Sequence, residues 1–469
     1  MRATAFTIVL AAALSYAPAA SSAKTSLSPE MIERIEVRFN NLGDRQNLIN
    51  AVTNNNIQSL SLNRKKLIAH NPHINHKLKE SGITNQKSSG RCWLFAGLNV
   101  FNPVLMAKLN LSSFELSEPY LAFWDKMEKA NLFLEEIIDL RNRPITDRKL
   151  EIILDNPIGD GGWWHYVTDL IDKYGVVPVS AMPETEQSSS TGAINRLINR
   201  KLRATASELR QMHAAGLSED DLRRRKEEIL TDIYTLLVFA YGKPPESFTF
   251  RYEDKDSTIS EPSNYTPRSF YKEFLTADIP KFAIIMDNPN KEYGRLYQIE
   301  SSCNMADKPD MTLLNLPIDR IKQYCLKALL DSQAVWFACD VGKENYRDSG
   351  IMAVDIYNYN ATFNIDFKIT KADRINYRDS YPNHAMVLLG VDTTAEGHPA
   401  KWLVENSWGT KKGDDGYWYM YDDWFDEYVY VAVVDKRLLR PEDRDALAQK
   451  PVVLPVWDPF WKALRNLKW

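Results

Sequence analysis

The hydrophobic period of this chain changes from helical to strand-like along its length, and that change constrains the fold more than any other feature. Met31, Ile35 and Phe39 recur at helical spacing within a lead-in over residues 24–80. After a Ser-, Gly- and Asn-rich loop from Ser81 to Gly90, an apolar helix begins at Cys92, with Leu94, Leu98, Phe101 and Leu105 on one buried face. A second helix is expected over residues 118–138. A third follows Gly162, carries Val167, Leu170, Ile171 and Tyr174, and stops at Gly175 ahead of Pro178. Residues 194–238 keep a helical period but are heavily charged; Asp220-Asp221-Leu222-Arg223-Arg224-Arg225 reads as a solvated helix face rather than a nucleic-acid patch. Residues 243–267, rich in Pro, read as linker and turns. Short apolar or aromatic runs at 335–341, 353–359, 361–369, 385–391, 402–405 and 417–421 then read as strands. Helices early and strands late predict an α+β fold, a helical half packed on a sheet half.

The first 23 residues stand apart. Arg2 precedes an apolar run from Ala3 to Leu14, and Ala17-Pro18-Ala19 or Ser21-Ser22-Ala23 offers a small-residue cleavage site, the layout of a secretory signal peptide. Export to a periplasm or beyond is the expectation. Beyond this segment no run reaches the roughly 18 apolar residues of a membrane span. The net charge of −4 gives no reason to expect nucleic-acid binding. Four cysteines, Cys92, Cys303, Cys325 and Cys339, are too few for a disulfide framework. Cys339 reads as a small apolar residue of a buried strand and Cys325 as part of a helical face, with a single bridge among the last three left open. His70, His73 and His76 recur three apart in a polar segment, read as solvated surface with metal binding as the alternative. No cofactor or metal is expected.

Cys92 needs its own account. A thiol in the first turn of a helix sits near unpaired backbone N–H groups and the positive end of the helix dipole, both of which favour thiolate. Gly90 permits close approach of a substrate backbone. Gln86, six residues upstream, carries a side-chain amide that can face the oxyanion formed when a thiolate attacks a carbonyl, with the Cys92 N–H as second donor. Taken alone, Cys92 reads sooner as a buried structural residue at a helix start. Its partners are what favour chemistry. His384 opens the apolar run 385–389, where a strand would hold its ring rigidly. Twenty-two residues on, Asn406 ends another strand, able to accept from one imidazole nitrogen and leave the other for the thiol. Trp408 is placed to shield that bond.

Gln86, Gly90-Arg91-Cys92-Trp93, His384 and Asn406-Ser407-Trp408-Gly409, in that order, resemble the signature of papain-like cysteine peptidases. In that family His and Asn follow the Cys by about 130–150 residues; here His384 follows by roughly 290, so a large insertion separates them. The chain is similar to the branch that contains bleomycin hydrolase and bacterial aminopeptidase C. Tyr120-Leu121-Ala122-Phe123-Trp124-Asp125-Lys126, Asp160-Gly161-Gly162, residues 173–178, 336–343 and 454–459 carry that likeness.

The resemblance implies a papain-like core with large helical insertions, a homohexamer with active sites facing an internal channel, and peptide substrates. It implies catalytic roles for Cys92, His384, Asn406 and Gln86, and substrate contacts by Gly161, Gly162, Trp93 and Trp408. It also implies a carboxy-terminal tail in the cleft whose carboxylate meets the substrate's free amine, hence aminopeptidase action, with endopeptidase action as a second capacity. The organisation expected is 24–80 helical lead-in, 81–193 helical half, 194–330 inserted helices and linker, 331–436 sheet half, and 437–469 tail. Two features depart from the branch, whose members are usually cytosolic and end sooner after the Asp-Pro of the tail; ten residues here follow Pro459, and trimming by the peptidase itself or a tail folded aside would each accommodate them. A non-catalytic scaffold on the same fold, and an amidase or acyltransferase using the same triad, are the alternatives. For the leader, mass spectrometry of the native protein should find a mature N-terminus near Thr25, or near Ala20 for the earlier site; retained Met1 on a cytosolic protein contradicts export.

Overall fold

The computed structural model describes residues 25–275 and 281–460; the expected leader and the tail residues 461–469 lie outside them. The chain divides into two units at Ser61 and Leu62. In the first, helix Pro29–Asn40 begins where the Ser28 hydroxyl accepts from the Met31 N–H at 3.2 Å, with proline in its first turn, and helices Gln46–Asn54 and Ile57–Ser61 follow.

The second unit is built on a mixed sheet. From one edge to the other it runs Val452–Leu454, Arg295–Ile299, Thr312–Asn315, Phe282–Met286, Val429–Asp435, Val335–Cys339, His384–Thr393, Pro399–Glu405, Tyr417–Tyr421, Ile351–Met352 and Asn345–Tyr346. The alternation of strand side chains divides the interior into two cores. Trp336, Ala338, Ala385, Val387 and Leu389 face the helical half, whose main helices are Cys92–Lys108, Glu118–Asp139 and Trp164–Tyr174. Val335, Phe337, Cys339, Met386 and Leu388 face helix Ile318–Leu330 on the other side. The expected α+β division of a helical half against a sheet half is therefore present. The charged segment forms two long helices, Gly192–Ala214 and Glu219–Tyr241, and the second opens with Ser218 and Asp221 capping each other reciprocally.

Several expectations are corrected. Residues 353–359 and 361–369 are not strands. Asp355 and Asn364 adopt positive φ of 59° and 53°, and the Asn358 side chain caps a short helix, Tyr359–Phe363, so the Asn- and Asp-rich sequence turns instead of extending. The region 194–330 is not only helix and linker: Phe282–Met286, Arg295–Ile299 and Thr312–Asn315 extend the main sheet, and Phe248–Phe250 pairs with Ser263–Tyr265 inside the expected linker. All four cysteines are free thiols. His70 does not stand in solvent but bonds through Nδ1 with the Tyr421 hydroxyl at 3.1 Å.

Gly175 ends helix Trp164–Tyr174 at φ +74°, and a Cβ there would stand 2.3 Å from the Pro267 carbonyl oxygen. Gly175→Ala should cost about 1–3 kcal/mol of stability, read as a lower denaturation midpoint in urea at unchanged slope.

Candidate active site

Helix Cys92–Lys108 presents Cys92, the expected nucleophile, as its first residue with no side chain capping that end. Its opposite number is the strand His384–Thr393, which pairs antiparallel with Val335–Cys339 so that His384 lies beside Cys339. Asn383 fixes the strand's entry: its N–H donates to the Cys339 carbonyl at 2.9 Å and its side-chain amide to Asp340 at 2.6 Å. The next strand, Pro399–Glu405, pairs Glu405 with Val387, so the hairpin register continued past the strand ends brings Asn406 and Trp408 alongside His384. That register is the structural meaning of the 22-residue spacing.

His384 Nε2 donates to Asn406 Oδ1 at 2.8 Å, and the backbone N–H of Ser407 donates to the same oxygen at 2.8 Å. A backbone N–H can only donate, so this atom must be the amide oxygen, and Nε2 must carry the imidazole proton. Nδ1 is left with its lone pair. Cys92 and His384 line one cleft, and the N–H of Ala385, directly after His384, points to the Cys92 sulfur. The Trp408 indole lies 4.8 Å from the imidazole, ring centre to ring centre, tilted by 35°. It packs on His384 as a cover for the Asn–His bond.

Gln86 is buried behind the nucleophile. Its Nε2 donates to the Ser89 carbonyl at 2.6 Å, and its Oε1 accepts from the Ser407 hydroxyl at 2.7 Å. The Ser89 carbonyl, which can only accept, settles which end of the amide is nitrogen, and that nitrogen keeps a second N–H. Ser407, passed over in the sequence, thus orients the amide while its backbone orients Asn406. Sequence signals exist for both tasks only as its place in the Asn406-Ser407-Trp408 run.

Gly161 and Gly162 line the same cleft but differ in role. A Cβ on Gly161 would meet open space, whereas one on Gly162 would stand 2.5 Å from the Trp93 indole. Trp93 is itself nearly fully buried, donating its indole N–H to the Asp160 carbonyl at 2.6 Å while its own carbonyl accepts from the Trp336 indole at 3.1 Å. Trp93 therefore forms the wall between glycine loop, nucleophile helix and sheet.

Burial pushes the Cys92 thiol up to about 11, against the N–H groups of Ala385, Trp93 and Cys92 itself, which favour thiolate. Burial likewise pushes His384 down to about 4, partly opposed by its bond to Asn406. Desolvation thus opposes the N–H groups that favour thiolate, and burial penalises the charged form of either group alone. Behind them, burial pushes Glu405 up to about 8 despite the hydrogen bond it accepts from Asn99 of the nucleophile helix.

A model of the Peptidase C1-like family matches residues 26–461. Aminopeptidase C of Streptococcus thermophilus is 38% identical over 438 residues, covering 93% of this chain and 98% of that protein. Aminopeptidase C of Listeria monocytogenes is 37% identical over 439 residues, covering 93% and 99%. The crystal structure of PepW from Lactobacillus rhamnosis HN001 superposes with a TM-score of 0.90 at 37% identity, over 93% of this chain and 98% of that one.

The two shifts set an expected pH profile. Acid adds a proton to His384 and removes the base, so kcat/KM should fall only near pH 4; alkali removes the shared proton and should lower it near pH 11. Initial rates between pH 3 and 11 check this; an acid limb at pH 6–7, where free imidazole titrates, contradicts it.

Proposed function

We infer that this chain, which belongs to the Peptidase C1-like family and resembles aminopeptidases C over nearly its whole length, is a cysteine-type aminopeptidase. The observation that carries the chemistry is the double acceptance at Asn406, because it leaves His384 Nδ1 as the free base next to Cys92. The thiol passes its proton to Nδ1 as the sulfur attacks the substrate carbonyl. Transfer creates thiolate and imidazolium together, so each charge is offset by its neighbour, which a lone charge in this pocket would lack. The oxyanion is met by the Cys92 N–H and the unused N–H of Gln86. Collapse breaks the C–N bond, His384 returns the proton to the departing amine, and an acyl thioester stays on Cys92. Water, deprotonated by His384, then releases the acid and restores the thiol.

Substrates on this reading are short peptides with a free amine, laid along Gly161 in extended form. The family likeness supports a homohexamer, and the layout of residues 1–23 supports export. An amidase or acyltransferase would share every step to the thioester and differ only in leaving group or acceptor.

Cys92→Ala should abolish turnover with fold and assembly intact. Asn406→Ala should slow turnover less, since His384 keeps its nitrogen but loses its orientation. A panel of free-amine, N-blocked and simple amide substrates separates the readings: preference for free-amine peptides supports the aminopeptidase, and equal cleavage of N-blocked peptides speaks for endopeptidase action. Light scattering of the purified protein should give about six times the monomer mass.

A further inference from the structure

The charged groups behind the cleft are arranged around Asp160, a residue with no part in the chemistry above. Four donors converge on its buried carboxylate. Oδ2 accepts from the Gly90 N–H at 3.0 Å and from the Thr191 hydroxyl; Oδ1 accepts from Lys126 Nζ at 2.5 Å and from Asn195 Nδ2 at 2.8 Å. The Asn195 amide cannot turn round, because its oxygen accepts from the same Lys126 ammonium at 2.7 Å. Two acceptor oxygens facing four donors is a demand that only a carboxylate meets. Although burial alone pushes Asp160 up, the Lys126 ammonium and these donors hold it well below the usual carboxylate range. It stays ionised.

The connections place this anion between two working parts. Gly90 precedes Cys92 by two residues, in the loop that also carries Gln86. The Asp160 main chain belongs to the glycine loop, and its carbonyl takes the indole N–H of Trp93, the residue after Cys92. Asp160 therefore grips the nucleophile from both sides, by carboxylate before it and by carbonyl after it. The grip has a fixed base in helix Glu118–Asp139. Lys126 supplies the countercharge, and Lys129, three residues on, donates to the carbonyls of Gly159 and Gly161 at 3.1 and 2.7 Å while its third proton meets Asp125 at 2.6 Å. Both ammonium groups are spent on the flanks of one three-residue loop.

We propose that Asp160 is a positioning residue, held by Lys126, that sets the distance between the Cys92 sulfur and the substrate carbonyl laid along the glycine loop. The proposal rests on the peptidase reading and adds a second requirement to it. Small errors in attack geometry reduce the rate of reaction more than the strength of binding, so its loss should appear in kcat. Asp160→Asn offers one acceptor where two are needed and turns an N–H towards a donor.

The test is steady-state kinetics on a free-amine dipeptide substrate, with enzyme concentration set by active-site titration so that unfolded protein is not counted. For folded Asp160→Asn, kcat should fall at least about tenfold with KM within about threefold of wild type. A smaller fall in kcat, or a rise in KM at constant kcat, overturns the proposal. Should Asp160→Asn fail to fold, Thr191→Val removes one donor on the Gly90 side with little change of shape. There a loss of about threefold or more in kcat at unchanged KM supports the proposal, and wild-type kcat overturns it. Failure of the peptidase reading looks different, as turnover retained by Cys92→Ala; failure of this proposal leaves Cys92→Ala inactive and Asp160→Asn active.

Discussion

The arrangement of the site depends on one atom, the side-chain oxygen of Asn406, which accepts two N–H groups at 2.8 Å. The neighbouring backbone identifies that atom, the atom selects the imidazole tautomer, and the tautomer decides which nitrogen can receive a proton from Cys92. Hairpin register supplies the geometry: Val387 opposite Glu405 brings the two strand ends together, and Trp408 arrives two residues later to cover the bond. Ser407 contributes at both ends, its N–H to Asn406 and its hydroxyl to Gln86. A single tripeptide thus orients the base and an oxyanion donor. The sheet and the helix that must meet are joined directly by the Trp336 indole and the Trp93 carbonyl, one residue from the nucleophile.

Charge is distributed unevenly through this centre. In front, burial pushes the Cys92 thiol up and the His384 imidazole down, so it penalises either ion alone. Behind, Asp160 and Lys126 remain a buried ion pair at 2.5 Å, with the residual lone pairs of the carboxylate filled by three further donors. Breaking one partner of such a pair costs about 3–5 kcal/mol, whereas the intact pair adds little net stability. Its value here is geometric, since directional bonds to both oxygens register two loops seventy residues apart in the chain.

The helical half, the sheet half and the meeting of Cys92, His384 and Asn406 were legible because each rests on a local pattern. The nucleophile helix declares itself by Leu94, Leu98 and Leu105, and the hairpin by two apolar strands ending in His and Asn. What escaped depends on partners distant in sequence. Lys126 and Lys129 lie among charged residues of a helix with no local pattern to mark their partners; they face a loop more than thirty residues away. The aromatic stretch near Tyr357 mimics a strand in composition, but its Asn and Asp residues turn the backbone into αL positions. Trp408 packs on His384, the place from which it was expected to shield the Asn–His bond. At Cys92 the dipole argument omits desolvation, which pushes the thiol the other way.

The most direct test of the account is the identity of the acylated residue. A slowly hydrolysed ester of a short free-amine peptide, mixed with enzyme and quenched in acid, should leave one acyl group that peptide mapping places on Cys92. Cys303 also lines the cleft and is the natural internal control. An adduct confined to Cys92 is the predicted result; an acyl group on Cys303, or full turnover with Cys92 never modified, would contradict it.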